Sequence, residues 1–89
     1  FHPAPEERYP ALRFAYRALR EGGTMPTVYN GANEAAVKLF MDRRIRFTDI
    51  YAAVEYAMER HMPSPVDSLE TVFDADWEAR ALVEAYFGR

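Results

Sequence analysis

The chain has 89 residues, 49% of them hydrophobic and 15% aromatic, with a formal net charge of -3 from 14 acidic and 11 basic side chains. That length holds one compact domain, near the lower limit for a self-sufficient core, and leaves no room for a second. There is no cysteine, so neither a disulfide nor a thiolate metal centre can staple the fold. The mixed charge gives no field that would select nucleic acid or an anionic membrane surface, and no apolar run reaches the roughly 20 residues that cross a bilayer. The chain begins at Phe1 without the charged and apolar regions of a signal peptide, and reads as a trimmed piece of a cytoplasmic protein.

Residues 1–9 contain Pro3 and Pro5 and lead to Pro10, which favours extended backbone, so they read as an arm or linker ahead of a domain at 10–89. Pro10 suits a first helical turn, and Leu12, Ala15, Tyr16 and Leu19 recur on one face until Gly22 and Gly23 end the helix at Glu21. Residues 24–29 read as a connector, because Pro26 breaks a helical pattern and Thr27, Val28 and Tyr29 are too few for a sheet. A central helix is expected from an Asn30 cap, with Asn33 in its first turn and a narrow polar stripe of Glu34, Lys38 and Asp42. Ala32, Ala35, Ala36, Val37, Leu39, Phe40 and Met41 fill the rest of its circumference, which predicts cover on several sides with Phe40 in the core. Thr48 and Asp49 offer the cap and acidic first turn of a third helix running to His61. After the proline-punctuated loop 62–67, Ser68 and Glu70 start the last helical region, which the pattern favours dividing at Asp74 into a short and a longer helix carrying Trp77 and ending at Gly88, although Phe73 and Trp77, four apart, also suit one continuous helix. The fold class is therefore all-α, a small bundle of four to five helices with short loops.

Residues that could carry chemistry are few. His61 with Glu59 and Asp67 has no His-Glu-x-x-His spacing and reads as a helix-end histidine rather than a metal ligand, and His2 lies on the arm. Ser64 and Ser68 lack a nucleophile-elbow context, and Gly22-Gly23-Thr24 lacks the lysine and strand of a phosphate-cradling loop. Arg43, Arg44 and Arg46 beside Phe47 form the one basic cluster, which on an acidic chain reads as a solvated helix end or a partner's ion-pair site. The aromatic residues outnumber what so small a core encloses, so some of them are expected to dock against another surface.

Five blocks in order, Tyr9 to Tyr16, Gly22-Gly23-Thr24, Asn30-Gly31-Ala32-Asn33-Glu34-Ala35-Ala36-Val37, Ile45-Arg46-Phe47-Thr48-Asp49-Ile50 and Val72 to Arg80, resemble the C-terminal helical domain of the 1-deoxy-D-xylulose 5-phosphate reductoisomerase family. Gly31 departs from the alanine usual there. The resemblance implies a parent enzyme of the non-mevalonate isoprenoid pathway that uses NADPH and Mg2+ or Mn2+ and forms 2-C-methyl-D-erythritol 4-phosphate. It further implies a cytoplasmic bacterial homodimer in which this bundle supports the catalytic domain of the same chain. The nucleotide, metal and phosphate motifs of that family have no counterpart in these 89 residues. No catalytic, cofactor-binding or metal residue is therefore assigned, and Asn30, Asn33, Glu34, Phe40, Phe47, Thr48, Asp49 and Trp77 stand as a structural signature. A free-standing helical interaction module is the alternative that composition leaves open.

Overall fold

The computed structural model describes residues 10–88. The segment expected as an arm lies outside them, along with His2 and Tyr9. Four helices follow one another: α1 (Pro10–Glu21), α2 (Met25–Met41), α3 (Phe47–Arg60) and α4 (Leu69–Phe87), with no strand among the described residues. Helix α2 lies at the centre and touches the other three, whereas α1 meets α2 and α3 but not α4.

The first helix has the expected bounds, and the left-handed backbone of Gly22 (φ +67°) and Gly23 (φ +54°) turns the chain after it. Helix α2 differs from expectation at its start. The supposed connector 24–29 is helical from Met25, Thr24 is the N-cap, and Asn30 lies inside the helix. The reason is positional: the first N–H groups of a helix have no intrahelical acceptor, so Pro26, in the first turn, forfeits nothing. Met25 and Val28 are thereby carried into the core.

Helix α3 starts two residues earlier than expected and is capped at Arg46 rather than Thr48. The Asp49 carboxylate accepts the Arg46 N–H at 2.8 Å, the reciprocal half of a capping box; a guanidinium has no acceptor for the other half. Thr48 is an exposed residue of the first turn. Helix α4 is continuous through Asp74, so the expected break is absent. Ser68 caps it as expected, its hydroxyl accepting the Thr71 N–H at 3.1 Å.

Among the described residues fifteen buried apolar side chains form the core, and seven of them are alanine: Ala18, Ala32, Ala36, Ala53, Ala57, Ala75 and Ala79. Such small side chains let the helix axes come close, and larger groups such as Phe14, Met25, Leu39 and Met58 fill the spaces between. Helix α2 comes close against α4 at Gly31. A Cβ there would lie 2.7 Å from Asp76 Oδ1 and 3.4 Å from the Ala79 Cβ. Phe40 is half-buried rather than in the core, and Val37 and Met41 are exposed, so α2 is covered less completely than its apolar circumference suggests.

Candidate functional site

Two polar constellations tie the helices together. The first gathers residues from three places in the sequence. Thr24 Oγ1 lies 2.6 Å from His61 Nε2, and His61 Nδ1 lies 2.6 Å from Glu78 Oε1. The Ser64 N–H donates to Thr24 Oγ1 at 3.1 Å, while the Thr24 N–H donates back to the Ser64 carbonyl at 2.9 Å. A carboxylate can only accept, so Nδ1 carries the proton toward Glu78. In the neutral ring Nε2 is then an acceptor and takes the Thr24 hydroxyl proton, which leaves a Thr24 oxygen lone pair for Ser64. Every group in this set is satisfied. His61 sits at the C-cap of α3, as its helix-end reading requires, but its partners are Thr24 and Glu78 rather than Glu59 and Asp67. Asp67 instead accepts from the Thr71 hydroxyl at 2.7 Å. No sequence spacing pointed to Glu78, because the contact depends on how α3 and α4 pair.

Carboxylate, imidazole and hydroxyl in that order also occur in nucleophilic triads. Here the hydroxyl belongs to a residue only 1% exposed, with an amide already lodged on its oxygen. A cleft of about 230 Å³ lies beside it, lined by His61, Ser64, Thr71, Asp74 and Glu78. That is below the roughly 300 Å³ at which small-molecule sites begin. The cluster acts as a clamp that fastens loop 62–67 to the turn between α1 and α2.

The second constellation uses the signature residues at the head of the expected central helix. Asn30 donates to Glu34 Oε2 at 3.2 Å, and Arg80 donates to Glu34 Oε1 at 3.2 Å and to Asp76 Oδ2 at 2.9 Å. The hydrogen bonds that Arg80 donates, to Asp76 first and Glu34 second, hold the guanidinium charged and raise its pKa. Asn30 is therefore one turn before Glu34 in a cross-link of α2 to α4 rather than a cap. Asn33 is half-buried on the same helix. Among the described residues no group of three histidine, aspartate or glutamate side chains could hold a metal ion.

Large apolar side chains also stand exposed among the described residues, Leu19 on α1 and Met62 and Val66 in the loop before α4 among them, and two groups of them are of interest. Along α4, Leu69, Phe73 and Trp77 follow at four-residue spacing and are 68%, 62% and 73% exposed. At the α2–α3 junction, Met41 and Phe47 are exposed, and Phe47 packs edge-on against both Phe40 and Tyr51 at centroid distances of 5.5 and 5.7 Å. Arg43 lines this second area with Phe40, Met41 and Ile45, and Arg46 precedes Phe47, whereas Arg44 lines a separate cleft with Asp42, Arg80 and Glu84; all three arginines are exposed.

Residues 1–82 match the family model described as DXP reductoisomerase C-terminal domain. The chain is 52% identical over 84 residues to the 1-deoxy-D-xylulose 5-phosphate reductoisomerase of Ralstonia nicotianae, covering 93% of this chain and 21% of that protein. It is 42% identical over its whole length to the enzyme of the same name from Ectopseudomonas mendocina, covering 23% of that protein. Its fold superposes with a TM-score of 0.92, at 40% identity, on the Zymomonas mobilis 1-deoxy-D-xylulose 5-phosphate reductoisomerase solved in complex with NADPH, covering all of this chain and 24% of that one. The chain thus spans about a fifth to a quarter of the relatives it matches.

Proposed function

Because this chain belongs to the family of DXP reductoisomerase C-terminal domains, we propose that it is the helical C-terminal part of a 1-deoxy-D-xylulose 5-phosphate reductoisomerase and serves there as a supporting domain with no catalytic residue of its own. The observation that carries this reading is the fate of its polar groups. Thr24, His61 and Glu78 are spent on one another, and Asn30, Glu34, Asp76 and Arg80 on joining α2 to α4. No buried side-chain nitrogen or oxygen among the described residues lacks a partner. An interior so completely paired keeps a fold rigid and offers nothing to a substrate.

The parent enzyme would rearrange the carbon skeleton of its phosphorylated substrate and reduce the product with NADPH, aided by Mg2+ or Mn2+, to give 2-C-methyl-D-erythritol 4-phosphate in the bacterial cytoplasm. These residues fit neither helper. A divalent cation needs converging oxygen ligands, and the described carboxylates do not converge in threes. A dinucleotide needs a glycine-rich turn between strand and helix, and the turn at Gly22 and Gly23 joins two helices. We therefore assign both to the larger remainder of the parent; the solved relative extends well beyond its match with this chain.

The test is an NADPH-oxidation assay on the 89-residue chain with substrate and divalent cation present. No turnover is expected; turnover above the protein-free rate refutes the proposal.

A further inference from the structure

The α2–α3 junction combines three features that a solvated helix end does not need. Helix α2 ends in a Schellman arrangement, with the Arg43 N–H on the Phe40 carbonyl and the Arg44 N–H on the Leu39 carbonyl, both at 2.9 Å. The residue at its left-handed position is Arg43, at φ 60°, where glycine would sit without strain. Arg43 is the sole non-glycine residue at positive φ among the described residues, and it stands beside an exposed apolar surface. That surface, formed by Phe40, Met41 and Ile45, has Met41 70% and Phe47 55% exposed. Beside it Arg43 forms no ion pair within the described residues, and Arg46 reaches Asp49 only at 3.6 Å.

We infer that the Phe40, Met41 and Phe47 surface, flanked by Arg43 and Arg46, is the face by which this domain docks on the preceding part of the same polypeptide, onto an apolar patch bordered by aspartate or glutamate. The inference rests on the supporting role proposed above and adds which face performs it. Charge complementarity sets the border of the partner, since desolvated arginines need carboxylates opposite them. The amount of chain outside this domain, more than three quarters of the solved relative, makes the covalently attached partner the one at high effective concentration. A second copy fits less well. The other exposed apolar stripe, Leu69, Phe73 and Trp77, is flanked by Glu70, Asp74 and Glu78 near the opposite end of α2, where Thr24 meets α4. Copies joined basic end to acidic end make an open head-to-tail series rather than a closed assembly.

The four methionines of the chain supply the test. Met25 and Met58 are fully buried, whereas Met41 and Met62 are 70% and 84% exposed within the domain and lie at opposite ends of it. The native full-length protein is treated with dilute hydrogen peroxide and the sulfoxide at each position is followed by peptide mass spectrometry. Met41 is expected to oxidise at least about tenfold more slowly than Met62, and equally so across a wide range of protein concentration. Met41 oxidising within about twofold of Met62 overturns the inference. If in that case Met62 is the protected one, the domain docks through its other end and the supporting role survives; if both oxidise freely, the supporting role falls too. Protection of Met41 that vanishes on dilution also overturns it, in favour of a second copy. Arg43→Gly separates docking from local structure. Relief of the left-handed strain leaves the domain fold intact, and Met41 in the full-length variant is expected to oxidise several-fold faster than in the parent. Unchanged Met41 protection in that variant refutes the part assigned to Arg43.

Discussion

Replacing Thr24 by valine removes one oxygen and keeps the shape, so it isolates the clamp. The Thr24 side chain is 1% exposed, and its hydroxyl has two partners, His61 Nε2 at 2.6 Å and the Ser64 N–H at 3.1 Å. Ser64 is exposed and recovers its hydrogen bond from water, which makes that loss small. The His61 side chain is 8% exposed, so Nε2 stays dry, and a buried polar atom left unpaired costs about 1–3 kcal/mol. With the lost bond counted once, Thr24→Val is expected to destabilise the chain by about 2 kcal/mol, or roughly 8–16 °C in melting temperature for a domain of this size. Thr24→Ser keeps the hydroxyl and loses a methyl group, and is expected to cost about 1 kcal/mol or less. Urea denaturation followed by far-UV circular dichroism measures both, with a constant slope confirming that the denatured state is unchanged. In a His61→Phe background the Thr24→Val change should lose most of its cost, since the atom it orphans is gone. A valine variant within about 0.5 kcal/mol of the parent, or a serine variant that costs more than valine, refutes the clamp.

Other substitutions probe the turns and the close approach of helices. Gly22→Ala and Gly23→Ala both place a side chain at positive φ, at about 1–2 kcal/mol each, but a Cβ at Gly23 also runs into the Ser64 carbonyl while Gly22 faces open space. The Gly23 variant should therefore show the clearly lower urea midpoint. Gly31→Ala gains up to about 1 kcal/mol in helix propensity but pushes Asp76 away from Arg80, so stability should stay within about 1 kcal/mol of the parent, whereas Gly31→Leu should force α2 and α4 apart and fail to give a cooperative melt. Ser68→Ala should cost about 1 kcal/mol through the lost cap on Thr71, seen as faster amide exchange in the first turn of α4. Phe40→Ala should cost less than the 3–5 kcal/mol of a fully buried phenylalanine but more than about 1 kcal/mol, because the ring packs against the core while part of it faces the junction surface.

Much of the fold was legible because it depends on local rules. Pro10, the Gly22-Gly23 pair and Ser68 each act on the residues beside them, and the boundaries they imply for α1 and α4 are the observed ones. The start of α2 was less legible, because proline breaks a helix interior but costs nothing in a first turn, and only the packing of Met25 and Val28 puts Pro26 in that turn. Asn30 illustrates a different limit. Its side chain suits a cap, and only the presence of a further turn ahead of it, anchored by the burial of Met25 and Val28, turns it to Glu34 instead. The undivided α4 has a similar cause. Asp74 is free to cap a helix in isolation, but Ala75, Ala79 and Val83 form one buried seam that holds the backbone straight through it. The partnership of His61 with Glu78 and Thr24 was not legible at all, since it joins positions whose nearness exists only after three helices have met.

The clamp has a kinetic side. Its contacts close loops of 37 residues between Thr24 and His61 and of 40 between Thr24 and Ser64, whereas the helical hydrogen bonds around it are local. Contacts that bridge such separations are costly in chain entropy and are favourable only once α2, α3 and α4 are already aligned, so they form late on the way to the native state. A late contact contributes little to the folding transition state and much to the barrier against leaving the native one. Loss of the Thr24 hydroxyl should then leave the folding rate nearly unchanged and quicken unfolding, which makes one buried threonine a brake on how often this domain opens.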